Sequence, residues 1–283
     1  MNDIRILMIE SVGRCNSTCS YCPRGAGLLD DNSNQFISIE TLQRALDLAD
    51  PTLNRGIYLH HRGEPFLHPD LASVVRQVRT RGFNAYLSTN LISVTEQKVR
   101  TVLAAGLNEL QMHFTAGLTR LDRDTLMARV HMVRKLNMQL RNNACKVEIN
   151  YALKNQTQAE ALEFLSGSPH FDETFAIYFY TPHDWPSLGK LNDRGIDFRQ
   201  CNWWKERSCA ILSNGDIVIC CLDQWGHSKI ANIWQINRID LAHLIKRDIC
   251  RGCVQHVEMD WLRRDAIEEP LWQKRRHQMD LWK

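Results

Sequence analysis

The sequence contains no run of about 18 apolar residues, the length a membrane-spanning helix requires. Its opening residues, MNDIRILMIE, also lack the basic-then-apolar order of a secretory signal. These absences argue against a helical membrane protein and give the expectation of a soluble, cytoplasmic one. Charge of one sign is missing too: 35 Lys and Arg against 32 Asp and Glu leave a net +3. The pI near 8.3 is too mild a bias to argue for nucleic acid. The RR and KRRH clusters near the C-terminus read as a solvated helix face. No internal repeat or low-complexity tract is visible. With 283 residues the chain can bury a full core, as one large α/β domain or as a domain with an appendage.

Cysteine is abundant. Ten cysteines in a chain with no export signal argue against a disulfide framework, because the cytosol keeps thiols reduced. Thiolates here are expected to hold metal. Cys15, Cys19 and Cys22 lie together in GRCNSTCSYCPR, while Cys201, Cys209, Cys220, Cys221, Cys250 and Cys253 lie late and Cys145 stands between. That split suggests two sites.

Strand-like and helix-like segments alternate through the first two thirds. Strands are expected at 4–11, 56–61, 83–89, 107–115, 146–153 and 174–180, and helices near 39–49, 69–81, 93–105, 123–136 and 157–166. The rhythm implies parallel βαβ units in a partial barrel or an open sheet. It breaks at 181–200, a Pro-, Gly-, Asn- and Asp-containing stretch that reads as a linker or lid. Then CAILSNGDIVICC sets Asn214 and Gly215 between two apolar runs, a hairpin signal. A division at 1–194 and 195–283 is expected, the second part a small cysteine-bearing module.

Structural zinc sites usually pair two CxxC knuckles, whereas CxxxCxxC offers three ligands. A four-iron cluster held by three thiolates keeps one iron open to a small ligand. Tyr21, just before the third cysteine, fits a loop wrapped over such a cluster. With this spacing directly after the first strand, the chain resembles the radical S-adenosylmethionine (radical SAM) family. HHRGEP (60–65) resembles that family's GGEP motif, with Arg62 in place of the first Gly, and STN (88–90) closes the third strand. The resemblance implies a (βα)6 partial barrel and a [4Fe-4S] cluster on Cys15, Cys19 and Cys22. It also implies SAM seated by Tyr21, Gly63, Glu64, Pro65, Ser88 and Asn90. Barrel active sites lie at strand C-terminal ends, so His60, His61, His113 and Glu148 are candidates, with His61 carried forward as catalytic.

The late cysteines resemble the auxiliary-cluster modules of the same family, called SPASM or, when shortened to one cluster, twitch. That resemblance implies a second [4Fe-4S] cluster on Cys201, Cys220, Cys250 and Cys253. Strand alternation sends Cys220 and Cys221 to opposite faces, and Cys220 is taken as the ligand. Cys221 is then free to act as a hydrogen-atom donor, while Cys209 and Cys145 read as small buried hydrophobes.

Within the family, the single auxiliary pattern and the NDRG segment (192–195) most resemble the small enzymes of aminoglycoside biosynthesis, of the 2-deoxy-scyllo-inosamine dehydrogenase and neomycin C epimerase types. The resemblance implies hydrogen abstraction from a carbinol carbon of an aminocyclitol or aminosugar, oxidation to a ketone, and a flavodoxin- or ferredoxin-type electron donor. It makes Arg194 a candidate for substrate contact or base. Three other readings stand beside it: epimerisation with a cysteine hydrogen donor, peptide modification by a SPASM-type maturase, and a non-enzymatic iron-sulfur electron carrier. An early Cys15 leaves no room for an N-terminal peptide-recognition domain, and the GEP and STN motifs argue against a mere carrier.

Overall fold

A computed structural model describes residues 4–29, 35–114, 121–153, 155–180, 203 and 207–239. Strands and helices alternate from β1 (Arg5–Ile9) and α1 (Ile39–Leu48) to β2 (Gly56–Tyr58) and α2 (Leu71–Thr80). The alternation continues through β3 (Asn84–Thr89), α3 (Glu96–Ala104), β4 (Glu109–Phe114), α4 (Arg123–Arg141), β5 (Lys146–Ala152), α5 (Gln158–Ser166) and β6 (Ile177–Tyr180). Neighbouring strands from β1 to β6 pair in parallel, as a partial (βα)6 barrel requires. Among the described residues no helix is long and apolar enough to cross a membrane.

The period-2 patterns explain how one sheet can face both a core and a cavity. In β3, Ala85, Leu87 and Thr89 are buried while Asn84, Tyr86 and Ser88 are half-buried; in β4, Leu110, Met112 and Phe114 alternate with Glu109, Gln111 and His113 in the same way. The apolar set packs with the inward stripes of the helices, among them Val74, Val75 and Val78 of α2 and Val99, Val102 and Leu103 of α3. The polar set is left for the barrel interior. Each helix starts at a side-chain cap: Ser38, Asp70, Thr95, Asp122 and Thr157 accept a backbone N–H from the first turn. Ser38 is the start that the sequence suggests.

Several bounds differ from expectation, with α3 starting only at Glu96 and β6 only at Ile177. Helix α4 continues past residue 136 to Arg141, ended by Asn142 at φ 47°. Strand β2 stops at Tyr58; Leu59 still donates its N–H to Tyr86 O at 2.8 Å, and residues 60–64 then build the motif described below.

Past the stretch that includes 181–200, β7 (Ser208–Ile211), β8 (Asp216–Val218) and β9 (Lys229–Asn232) extend the same sheet, in the order β6-β5-β4-β3-β2-β1-β7-β8-β9. Strand β7 runs parallel to β1, and β8 and β9 are antiparallel to their neighbours. The boundary expected at 194/195 lies outside the described residues. The hairpin turn expected at Asn214-Gly215 is present: Gly215 donates its N–H to Leu212 O at 2.8 Å, and Asn214 Oδ1 accepts from Asp216 N. Gly215 sits at φ +85°, where an added Cβ would lie 3.0 Å from Ile233. Gly215→Ala is expected to lower stability by about 1–2 kcal/mol, read as a fall in the thermal midpoint with the far-ultraviolet spectrum unchanged.

Candidate active site

Strand β1 delivers the chain into the cysteine loop, which closes on itself. Cys22 N bonds to Cys19 O at 3.0 Å and Ala26 N to Cys22 O at 2.8 Å. Gly25 lies so close that a Cβ there would sit 2.5 Å from Cys19 N. Cys15, Cys19 and Cys22 are free thiols, half-buried. Ser17 N donates to Cys15 Sγ at 3.4 Å, and Ser17 Oγ lies 2.9 Å from Cys19 Sγ. Burial pushes the Cys15 thiol up to about 12, with Glu64, Cys22 and Cys19 adding negative charge beside it; burial raises Cys22 as well. The Cys15 and Cys22 thiols in such a pocket need a strongly electropositive partner to ionise.

Among the described residues no group of three His, Cys, Asp or Glu side chains is gathered to hold one metal ion. A four-iron cube binds each thiolate through a different iron, so its ligands stand farther apart than those of a single ion. The donor set, its tight loop and its mutual electrostatics fit such a cluster.

The GEP motif is locked against this loop by backbone contact. Glu64 N donates to Arg14 O at 2.9 Å, and a Cβ on Gly63 would lie 2.3 Å from Val12 O and 2.4 Å from Arg14 O. Only glycine permits that approach. The Glu64 carboxylate is buried and fully engaged: Oε1 accepts from Phe66 N (3.0 Å) and Thr89 Oγ1 (2.7 Å), and Oε2 from Asn90 N (2.7 Å). Burial raises its pKa to about 7 despite those three donors. Glu64 therefore ties the end of β3 to the turn that starts at Pro65. Asn90 completes the connection, its Nδ2 donating to Asn16 Oδ1 at 2.9 Å and to Cys15 Sγ at 3.5 Å. Thr89, which the sequence reading passed over, holds Glu64, whereas Ser88 alternates to the barrel side in register with Gln111.

A second buried carboxylate, Glu10 at the end of β1, was also missed. It is 0% exposed. Arg62 grips it with Nε on Oε2 and Nη2 on Oε1, each at 2.6 Å, and Ser213 of the β7–β8 turn donates through its hydroxyl (2.8 Å) and its N–H (3.1 Å). The Arg62 bonds, after the opposing cost of burial, hold Glu10 well below the usual carboxylate range. The legible signal was the pair itself: an acid closing an apolar strand, and an arginine where the motif expects glycine.

His61 lies with its side chain fully buried 3.7 Å from the Glu10 carboxylate, beyond hydrogen-bond reach. This places it at the Glu10 junction. His60 instead packs edge-on against Tyr58, 5.5 Å between ring centres. Its Nδ1 is buried without a hydrogen-bond partner. Burial, then the nearness of His113 and His61, lowers its pKa to about 3, so it is neutral at physiological pH. His113 Nε2 takes a hydrogen bond from Asn150 at 3.0 Å, which leaves the proton on Nδ1 for Tyr180 OH at 3.2 Å. The Tyr180 hydroxyl in turn bonds Tyr21 of the cysteine loop.

Cys220 and Cys221 both lie beyond β8, which ends at Val218, so strand alternation does not separate them. The two thiols interact, and together with burial this raises Cys220 far above its ordinary value. Cys209 and Cys145 are buried and pushed up to about 12 by burial, inert packing thiols. Arg194, Cys201, Cys250 and Cys253 lie outside the described residues.

A partial barrel that presents three thiols on the loop after its first strand, and buries a glutamate where the second and third strands end, is the architecture of an enzyme that loads an iron-sulfur cluster at its mouth. The chain belongs to the radical SAM superfamily, whose family model matches residues 9–165. It is therefore a radical SAM enzyme, and the family brings a [4Fe-4S] cluster and SAM. A curated relative, the tungsten-containing aldehyde ferredoxin oxidoreductase cofactor-modifying protein of Pyrococcus furiosus, is 28% identical over 107 residues, 37% of this chain and 29% of that protein. The match thus spans less than a third of the relative's length. Among solved structures, BtrN in complex with AdoMet and 2-DOIA is similar with a TM-score of 0.55 and 16% identity, over 84% of this chain and 81% of BtrN. SuiB of Streptococcus suis bound to the precursor peptide SuiA gives 0.57 and 14%, over 84% and 64%. The structure of anSMEcpe with bound AdoMet gives 0.56 and 12%, over 87% and 78%. At these identities the likeness is one of fold.

Removing one side of the Glu10–Arg62 pair strands a buried charge. Arg62→Ala is expected to cost about 3–5 kcal/mol, and the double variant Glu10→Gln/Arg62→Met to recover most of it; denaturant titration of the three proteins measures both. His60 gives a pH signature. Its folded pKa lies below the unfolded value, so its contribution to stability is present above about pH 6.5 and is lost as pH falls toward 3. His60→Phe is expected to abolish about 2 kcal/mol of the stability lost between pH 7.5 and pH 5, measured by thermal unfolding at both values.

Proposed function

We propose that the protein is a radical SAM oxidoreductase that oxidises a carbinol carbon of a small, polar substrate of aminocyclitol or aminosugar type to a ketone. The observation that supports this most is the polar set on the barrel side of the sheet: Ser88, Gln111, His113, Glu148 and Asn150 share one face of β3, β4 and β5 by register, and His113 connects through Tyr180 to Tyr21 of the cysteine loop. Such a lining suits a hydroxylated molecule better than an apolar one. The fold shared with BtrN is compatible with the same reading.

In this proposal Cys15, Cys19 and Cys22 hold the first cluster, and Gly63, Glu64, Pro65, Ser88 and Asn90, with Tyr21, shape the SAM seat. Bound there, cluster and SAM supply a 5′-deoxyadenosyl radical able to take hydrogen from an unactivated carbon. His60 is the neutral acceptor that holds the hydroxyl on that carbon by a hydrogen bond, its lowered pKa making it a poor base, and the proton released in the oxidation passes to the candidate base Arg194. His113 is fixed in one tautomer by Asn150 and Tyr180 and offers no free lone pair. Cys201, Cys220, Cys250 and Cys253 would hold a second cluster that accepts the remaining electron, with Arg194 a contact from 181–200. The division at 194/195 and a flavodoxin- or ferredoxin-type donor belong to the same proposal.

Two measurements test it. Anaerobic reconstitution is expected to give about eight irons per chain, falling to about four in a Cys15/Cys19/Cys22→Ala variant. About four falling to zero would remove the electron acceptor and, with it, the oxidation. Turnover with 2-deoxy-scyllo-inosamine in D2O is expected to yield a carbonyl product with no deuterium on the reacting carbon. Retention of the hydroxyl with deuterium at its carbon would instead favour epimerisation, a second reading supported by the contact between Cys220 and Cys221, which leaves one thiol to bind iron and the other to donate hydrogen.

A further inference from the structure

Leu91, directly after the STN segment, is fully buried and yet stands at φ 64°, in the left-handed region. For a bulky γ-branched residue that conformation is an outlier, and it persists only where the surroundings impose it. The polar groups of the turn are committed to the two motifs of the site. Thr89 Oγ1, which donates to Glu64, accepts from Leu91 N at 3.1 Å, and Asn90 Oδ1 accepts from Ile92 N at 2.9 Å. From the cysteine loop, Asn16 donates to Ser93 Oγ at 2.7 Å. These bonds fix the Asn90 amide, whose Nδ2 reaches Asn16 Oδ1 at 2.9 Å and Cys15 Sγ at 3.5 Å.

Two carbonyls of the same turn are met by a side chain from a distant helix. Arg129 of α4 donates from Nη1 to Leu91 O at 2.5 Å and to Ile92 O at 2.7 Å. The helix period sets its place: it lies three residues after Leu126 and four before Val133, both buried, so it shares the flank of α4 that turns toward the core. Its hydrogen bonds go to backbone carbonyls and not to a carboxylate. Arg141 of the same helix makes a related bond to Leu103 O, but that bond closes the end of α3, an ordinary use of a cation at a helix C-terminus. Arg129 instead grips a strained turn outside any helix, next to the residue that bonds a cluster thiol.

We infer that Arg129 is a positioning residue for the first cluster: by gripping Leu91 O and Ile92 O it holds the turn in the shape that sets the Asn90 amide on Cys15 Sγ. A hydrogen bond to a cluster thiolate favours the more negative, reduced form and so raises the reduction potential. The arginine acts on the cluster through Asn90 and not by contact. The inference rests on the cluster that the family brings to Cys15, Cys19 and Cys22. It is independent of the substrate and of whether the product is a ketone or an epimer.

Redox titration of the anaerobically reconstituted enzyme, followed by electron paramagnetic resonance, tests the assignment in a double-mutant cycle; the first cluster is the one whose signal changes when SAM is added. Asn90→Ala and Arg129→Ala are each expected to lower its midpoint, by about threefold to tenfold in the reduction equilibrium, up to about 59 mV for one electron. The double variant is expected to shift no further than Asn90→Ala alone, because the arginine works through the amide. Arg129→Lys keeps the charge but loses the guanidinium's reach and fixed geometry, and its midpoint is expected between those of the native enzyme and Arg129→Ala. Should Arg129→Ala fail to load iron, the same cycle run with Arg129→Lys decides. A native midpoint potential in the Arg129 variant, beside a lowered thermal stability, would make the residue a packing element and overturn the inference. Additive shifts would overturn it too, since the charge would then act on the cluster across space, as would a native midpoint in Asn90→Ala.

Discussion

The carboxylate of Glu10 is the point on which the arrangement depends. It stands at the end of β1, one turn before the cysteine loop, and it is approached from two directions by groups that have no other reason to meet. Arg62 comes from the GEP segment after β2, and Ser213 from the tip of the β7–β8 hairpin. A buried fork of this kind gains little net stability over well-packed apolar groups, but it tolerates no substitute geometry. What it secures is position: the loop of thiols, the SAM motif and the late hairpin are referred to one atom pair.

Arg62 also explains a departure from the family pattern. The motif's first glycine is replaced here, yet Gly63 still makes the close backbone approach to Val12 and Arg14. The substituted position is therefore the one whose side chain has room to turn toward Glu10. Below it Glu64 plays a parallel part on the other side, gathering Phe66, Thr89 and Asn90. Two buried acids, with opposite pKa displacements, thus brace the mouth of the barrel: the ionised form of one is fixed by a guanidinium, and the other, bonded by neutral donors, is left near neutrality.

Much of this was legible in the sequence because it rests on local signals. The βα rhythm, the cap at Ser38, the turn at Gly215 and the tight CxxxCxxC spacing are short-range patterns, and each corresponds to an element of the fold. What could not be read depends on contacts between distant segments. Nothing local marks Glu10 as the partner of Ser213, or Thr89 rather than Ser88 as the partner of Glu64, and adjacent His60 and His61 differ only in what the third dimension brings to each. The alternation argument applied to Cys220 and Cys221 failed for a related reason: it presumed a strand that ends at Val218.

The pairing of β7 with β1 has a consequence for how the protein is made. Register partners such as Arg5 and Ser208 are far apart in the chain, so during synthesis β1 emerges with one flank bare and keeps it until β7 has been translated. An uncovered parallel edge beside three reactive thiols is a vulnerable intermediate, open to wrong pairing and to oxidation. Closure by β7 both seals that edge and brings Ser213 to Glu10. The cysteine loop thus reaches its settled shape only after β7 and Ser213 have been made, which sets the earliest moment at which iron can be loaded into a finished site.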